Sequence, residues 1–103
     1  MELTVLAVPG CPGAATLRER LPVVLAERPD IRVTWREVTG EEDAVRLGMR
    51  GSPTLLVDGV DPFAEPGRPA SLSCRLYGDG PGALANAPAL ARLREVMGTA
   101  DRT

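Results

Sequence analysis

The stretch Arg50-Gly51-Ser52-Pro53-Thr54-Leu55-Leu56-Val57-Asp58-Gly59 turns, runs straight and turns again. Gly51 and Pro53 break the chain ahead of Thr54. Thr54 to Val57 lacks the polar alternation of a half-exposed strand, which predicts a strand covered on both faces and central in its sheet. Asp58-Gly59 is a two-residue hairpin signal. Val60 then begins a returning strand, which Pro62 soon interrupts. Read by itself, Pro53 is an ordinary trans turn, because cis X–Pro bonds make up only about 5–6% of cases in folded proteins.

A second run of the same kind, Leu3 to Val8, opens the chain and ends at Pro9-Gly10. Cys11-Pro12-Gly13 follows and leads into a helical pattern over Ala14 to Glu27, so the cysteine stands where a strand gives way to a helix. Backbone N–H groups are unpaired there and the helix dipole is positive. A thiol in such a place tends to ionise, with typical pKa values falling from ~8.5 to ~3.5–7.5. Pro12 suits the first helical position. The competing reading is a buried, inert cysteine beside a Gly/Pro turn.

The helical pattern puts Ala14, Leu17, Leu21, Val24 and Leu25 on one face, and Pro22 inside it should kink or divide the helix. Ile31 to Arg36 alternates strictly, as an edge strand does. Thr39 and Glu42 spell a capping box for a short helix that Gly48 closes. Glu65 to Ala70 reads as loop. Ser71 to Tyr77 alternates again, with Leu72, Cys74 and Leu76 sharing a face, and Gly78 to Gly82 reads as loop. Pro88 starts a last helix, with Leu90, Leu93, Val96 and Met97 as its stripe, and Gly98 stops it. The expected organisation is one domain over 1–98, with an insert-like loop at 65–82 and a frayed tail at 99–103.

The chain has 103 residues, enough for one modest core. Aromatics make up only 3%, and net charge is −2 with no basic stripe, which argues against nucleic acid as a partner. Histidine is absent, which removes Ser/His/Asp and Cys/His catalysis. Two cysteines are too few for a disulfide-stapled secreted scaffold. The start carries no signal-peptide or membrane-span pattern, so a reducing, cytoplasmic setting is the expectation. The acidic cluster Glu41-Glu42-Asp43 is explained by the helix dipole rather than by a metal.

With these elements in place, the chain resembles the thioredoxin-like superfamily, which includes thioredoxins and glutaredoxins. Cys11-Pro12-Gly13-Ala14 stands where the family has Cys-x-x-Cys, as a single-cysteine variant. Arg50 to Leu56, followed by Asp58-Gly59, looks like the family's cis-proline segment and hairpin. The resemblance covers Met1 to about Val60 and the last helix. It implies an α/β fold of order β-α-β-α-β-β-α. The implied sheet is mixed and four-stranded, in second-first-third-fourth order, with helices on both faces. It further implies a cis Ser52–Pro53 bond beside Cys11, and a substrate-binding wall of Pro12, Gly13, Ser52, Pro53 and Thr54. The chain departs from the family at Ala14, where the second cysteine would be, at Val5 in place of a buried acid, and at Gly10 in place of a tryptophan. The double glycine of glutathione-binding glutaredoxins is not visible after the hairpin.

Cys74 has two readings. In one it lies near Cys11 and resolves a mixed disulfide, which needs Cα atoms within about 4.4–6.8 Å at the moment of bonding. Arg75 beside it would favour a thiolate. In the other it fills the core with Leu72 and Leu76. The expected function is a thiol–disulfide redox protein, with Cys11 as catalytic nucleophile and Cys74 as the candidate resolving residue. Its partner would be a thiol or disulfide substrate, protein or small molecule, with no cofactor and no membrane. One alternative is a non-enzymatic binding module of the same fold, which Ala14 motivates. Another is a thiol site for a soft metal such as Cu(I) or Hg(II). Structural zinc would need four ligands.

Overall fold

Leu3, Val5 and Leu6 are almost wholly removed from solvent, and the strand that carries them is the centre of the molecule. The computed structural model describes residues 1–78 and 84–98. The loop expected after Gly78 and the frayed end expected at 99–103 therefore lie outside the described residues. In chain order the elements are β1 (Glu2–Ala7), α1 (Pro12–Leu25), β2 (Arg32–Glu37), α2 (Glu41–Leu47), β3 (Arg50–Ser52), β4 (Thr54–Val57), β5 (Ser71–Cys74), β6 (Tyr77–Gly78), β7 (Leu84–Ala85) and α3 (Leu90–Val96).

β1 has β2 on one side, parallel, and β4 on the other, antiparallel. Side chains alternate across this mixed sheet, so each strand feeds two cores. Leu3, Val5 and Leu55 pack with Leu17, Leu21 and Val24 of α1 and with Leu93 and Met97 at α3. On the other face Leu6 packs with Val38, Ala44 of α2 and Met49, with Leu56 against them. Helices thus cover both faces of an α/β fold. Burying one leucine contributes about 1.5–3 kcal/mol, so these two clusters are the main cohesive force.

Several expectations need correction. Among the described residues the sheet that holds β1 has three strands, not four. Asp58 and Gly59 form the turn with positive φ at both residues, and Val57 and Val60 exchange backbone hydrogen bonds, but the pairing stops there as an isolated bridge. Pro62 has no N–H to extend it, and the Asp61 side chain turns back to accept from the Phe63 N–H. β4 is consequently at the edge of its ladder, not its centre. It is apolar on both faces because cores lie on both sides of it. The remaining strands form two separate pairs, β3–β5 parallel and β6–β7 antiparallel.

α1 runs through Pro22 as one helix, with that proline exposed. The capping box does not form: Gly40, not Thr39, caps α2, and no side chain bonds to its end. The three acidic residues of its first turn face the helix dipole instead. α3 begins at Leu90, with Ala89 as its cap, two residues after the expected proline.

Candidate functional site

Cys11 is positioned by backbone geometry on both sides. After β1, the Cys11 N–H donates to the Val8 carbonyl at 3.3 Å, closing a tight turn over Gly10. Cys11 is then the N-cap of α1 in extended conformation, and Pro12 opens the helix. The thiol is mostly covered, with 8% exposure.

Ser52, Pro53 and Thr54 press against this corner. The Val8 N–H donates to the Ser52 hydroxyl at 3.0 Å. The Ser52–Pro53 bond is cis. A Cβ on Gly13 would stand 2.6 Å from the Pro53 ring and 2.2 Å from the Asn86 carbonyl oxygen, so only glycine lets the start of α1 approach both. The Tyr77 hydroxyl donates to the Pro53 carbonyl. Burial pushes the Tyr77 phenol above its ordinary range; Arg75 opposes this, while Asp61 and the nearby Cys11 add to it. Tyr77 is therefore a neutral donor. The Thr54 hydroxyl donates to the Gly51 carbonyl at 2.6 Å and accepts from the Arg50 N–H at 3.2 Å. All three residues of this segment are buried, and the side-chain hydroxyls of Ser52 and Thr54 are engaged within the protein.

Cys74 does not fill the core. It is exposed, and both cysteines are free thiols. The pairing of β3 with β5 explains this. Arg50 pairs with Ser71, but Ser52 pairs with Cys74, so β5 carries one extra residue. A bulge of this kind reverses which side chains face inward. Leu76 is 54% exposed as a result, and Arg75 and Tyr77 are buried.

Nor does Arg75 serve Cys74. Its guanidinium donates to Asp61 at 2.7 Å and to the Phe63 carbonyl at 2.7 Å, and lies 4.8 Å over the Tyr77 ring. The ion pair is buried at both ends. It clamps the 61–63 segment to the strand below. Gly51, with φ +105, admits the Arg75 stem where a Cβ would meet it at 2.8 Å. Neither this pair nor the role of Tyr77 was anticipated. The available signal was the alternation of Arg75 with Tyr77, the opposite face of the one read as apolar.

A cleft of about 380 Å³ opens on the other flank of Cys11. Its walls come from β1, the Pro9–Gly13 turn, the first turns of α1 and the end of β2, with Arg18, Trp35, Arg36 and Glu37 among the lining residues. Of the expected site residues, Cys11 and Pro12 line this cleft. Gly13, Ser52, Pro53 and Thr54 form the packed support behind the cysteine, and Cys74 is the register partner of Ser52 on the adjacent β5. Among the described residues, no group of three or more His, Cys, Asp or Glu side chains is arranged to hold a metal. No helix there is long and apolar enough to cross a membrane. No family model, no curated protein and no solved structure matches the chain.

Proposed function

We propose that this is a thiol–disulfide redox protein of thioredoxin-like architecture, with Cys11 as nucleophile and Cys74 as resolving thiol. One relay of contacts carries the reading: Cys11 bonds to Val8, Val8 to Ser52, and Ser52 pairs with Cys74. That chain of neighbours supports the reading that both cysteines belong to one site. The helix start at Cys11 and the cis Ser52–Pro53 bond behind it support the same reading.

In the proposed cycle the Cys11 thiolate attacks one sulfur of a substrate disulfide. A Cys11–substrate disulfide forms, the substrate S–S bond breaks, and the first substrate thiolate leaves and takes a proton from water. The Cys74 thiolate then attacks the Cys11 sulfur and expels the second substrate thiolate. The product is a Cys11–Cys74 disulfide and a substrate reduced by two electrons. An external dithiol resets the protein by the same exchange. Cys74 replaces the cysteine that Ala14 lacks.

The test is intact-mass analysis of the reduced protein after mixing with bis(2-hydroxyethyl) disulfide. Wild type is expected to lose two hydrogens and retain no adduct. Cys74→Ser is expected to stop as a single adduct on Cys11. Cys11→Ser is expected to react only at the rate of an ordinary exposed thiol. If Cys11 in the Cys74→Ser variant reacts no faster than a free reference thiol, the nucleophile assignment fails. If wild type accumulates adducts on both cysteines, Cys74 does not resolve.

A further inference from the structure

β2 is the outer strand of the sheet that holds β1, and the bonds at its two ends show which way its backbone points. The Arg32 N–H donates to the Met1 carbonyl at 3.2 Å, and the Val38 N–H donates to the Ala7 carbonyl at 2.9 Å. Backbone groups of successive residues point to opposite edges of a strand. Those of Arg32, Thr34 and Arg36 therefore serve β1, and those of Val33, Trp35 and Glu37 face outward. Among the described residues, no group from outside the sheet bonds to that outward row. Such an edge is a template for another extended segment.

The two faces of this edge differ. On the α1 face, Val33 and Trp35 line an open groove of about 170 Å³ with Leu21, Pro22 and Leu25 of α1. Arg18 also lines it, with its guanidinium 4.1 Å over the Trp35 ring. Small-molecule sites begin at about 300 Å³, so this groove takes single apolar side chains rather than a whole ligand. On the opposite face Arg32, Thr34 and Arg36 are exposed. Neither arginine makes an ion pair among the described residues. Glu37 shares the α1 face with Trp35, away from this row. Glu2 is the register partner of Arg32, but a strand added to β2 lies about 5 Å from β2 and roughly 10 Å from β1. Its side chains meet the arginine row first.

We infer that the β2 edge docks an extended segment of a partner protein in which acidic and apolar residues alternate. The partner's backbone pairs with Val33, Trp35 and Glu37. Its apolar side chains enter the groove between α1 and β2, and its carboxylates lie beside Arg32 and Arg36. A second copy of β2 is a poor occupant. Two-fold antiparallel pairing keeps every side chain on its own face, so four guanidinium groups would gather on one side. The inference is independent of the thiol chemistry at Cys11.

Trp35 is the chain's single tryptophan, so its fluorescence reports occupancy of the edge. The probes are two blocked eight-residue peptides, one alternating glutamate with valine and one alternating lysine with valine. At low salt the glutamate peptide is expected to shift the Trp35 emission saturably. It should bind roughly tenfold more tightly than the lysine peptide, as two exposed charge contacts allow. The preference should shrink at high salt. Arg32→Glu combined with Arg36→Glu should reverse it, with an unchanged circular dichroism spectrum as the check on folding. Strand addition is tested on the wild-type protein by N-methylating the glutamate amides in one peptide and the valine amides in another. One set faces β2, and its methylation should abolish binding; the other faces solvent, and its methylation should leave binding intact. No binding of either peptide, equal binding of both, or binding that survives both methylations would overturn the inference. So would a concentration-dependent dimer in sedimentation that shifts the Trp35 emission without any peptide, because the edge would then belong to a second copy.

Discussion

Ser52 and Cys74 are register partners across the parallel β3–β5 pair, and the Ser52 hydroxyl accepts the Val8 N–H from the turn that carries Cys11. One buried serine therefore ties the turn that carries Cys11 to the strand that carries Cys74. Ser52→Ala leaves the Val8 N–H without its acceptor and is expected to cost about 1–2 kcal/mol. Urea unfolding measures that loss. Adduct formation on Cys11 should slow in the same variant, while alkylation of exposed Cys74 should not change.

Gly13 is the tightest approach around the site. A methyl group there meets a backbone oxygen at 2.2 Å and a proline ring at 2.6 Å, and neither can swing aside. Gly13→Ala is expected to destabilise the fold by roughly 2–3 kcal/mol and to slow Cys11 exchange. Gly40→Ala is the control, because nothing lies within 4 Å of a Cβ at that position. Its expected loss in chemical denaturation is below about 1 kcal/mol.

The buried Arg75–Asp61 pair holds the loop after β4 in place. Asp61→Asn leaves a guanidinium in the interior without its counter-charge, an expected loss of about 3–5 kcal/mol by denaturant titration. Arg68→Gln removes an exposed ion pair with Glu65 and should change stability by about 0–1 kcal/mol in the same assay.

The hydrogen-bonded Arg28 guanidinium holds the Asp30 carboxyl down at about 2, from an ordinary 3.8. Its folded-state value is lowered, so its contribution to stability is complete above the unfolded value and is lost as pH falls toward the folded one. Thermal melts of wild type and Asp30→Asn should therefore differ above about pH 4 and converge near pH 2. Arg28 also donates to the Met97 carbonyl, a bond that Asp30→Asn leaves in place. A difference that persists unchanged below pH 2 would remove Asp30 as its source.

Local pattern alone determined much of this protein. The nearly all-apolar run of Leu3 to Val8 marked the central strand, the alternation around Val33 and Trp35 marked the edge strand, and the spacing of Leu17, Leu21 and Val24 marked the buried face of α1. Each of these is a periodicity carried by neighbouring residues, so it is written in the chain. The corner at Cys11 was legible for the same reason, since Pro12 sits at the start of α1. Only the tertiary structure decided the rest. The extra residue in β5 exists only relative to β3, and it turned Cys74 outward and Arg75 inward. The partner of Arg75 is Asp61, fourteen residues away in the chain, and no local spacing announces such a pair. Arg18 and Trp35 come together at the cleft only because β2 lies parallel to β1 beneath α1. Strand pairing and the matching of buried charges depend on distant segments, which is why Cys11 and, through the resemblance, the cis Ser52–Pro53 bond behind it could be found in the sequence while the Arg75–Asp61 pair and the outward turn of Cys74 could not.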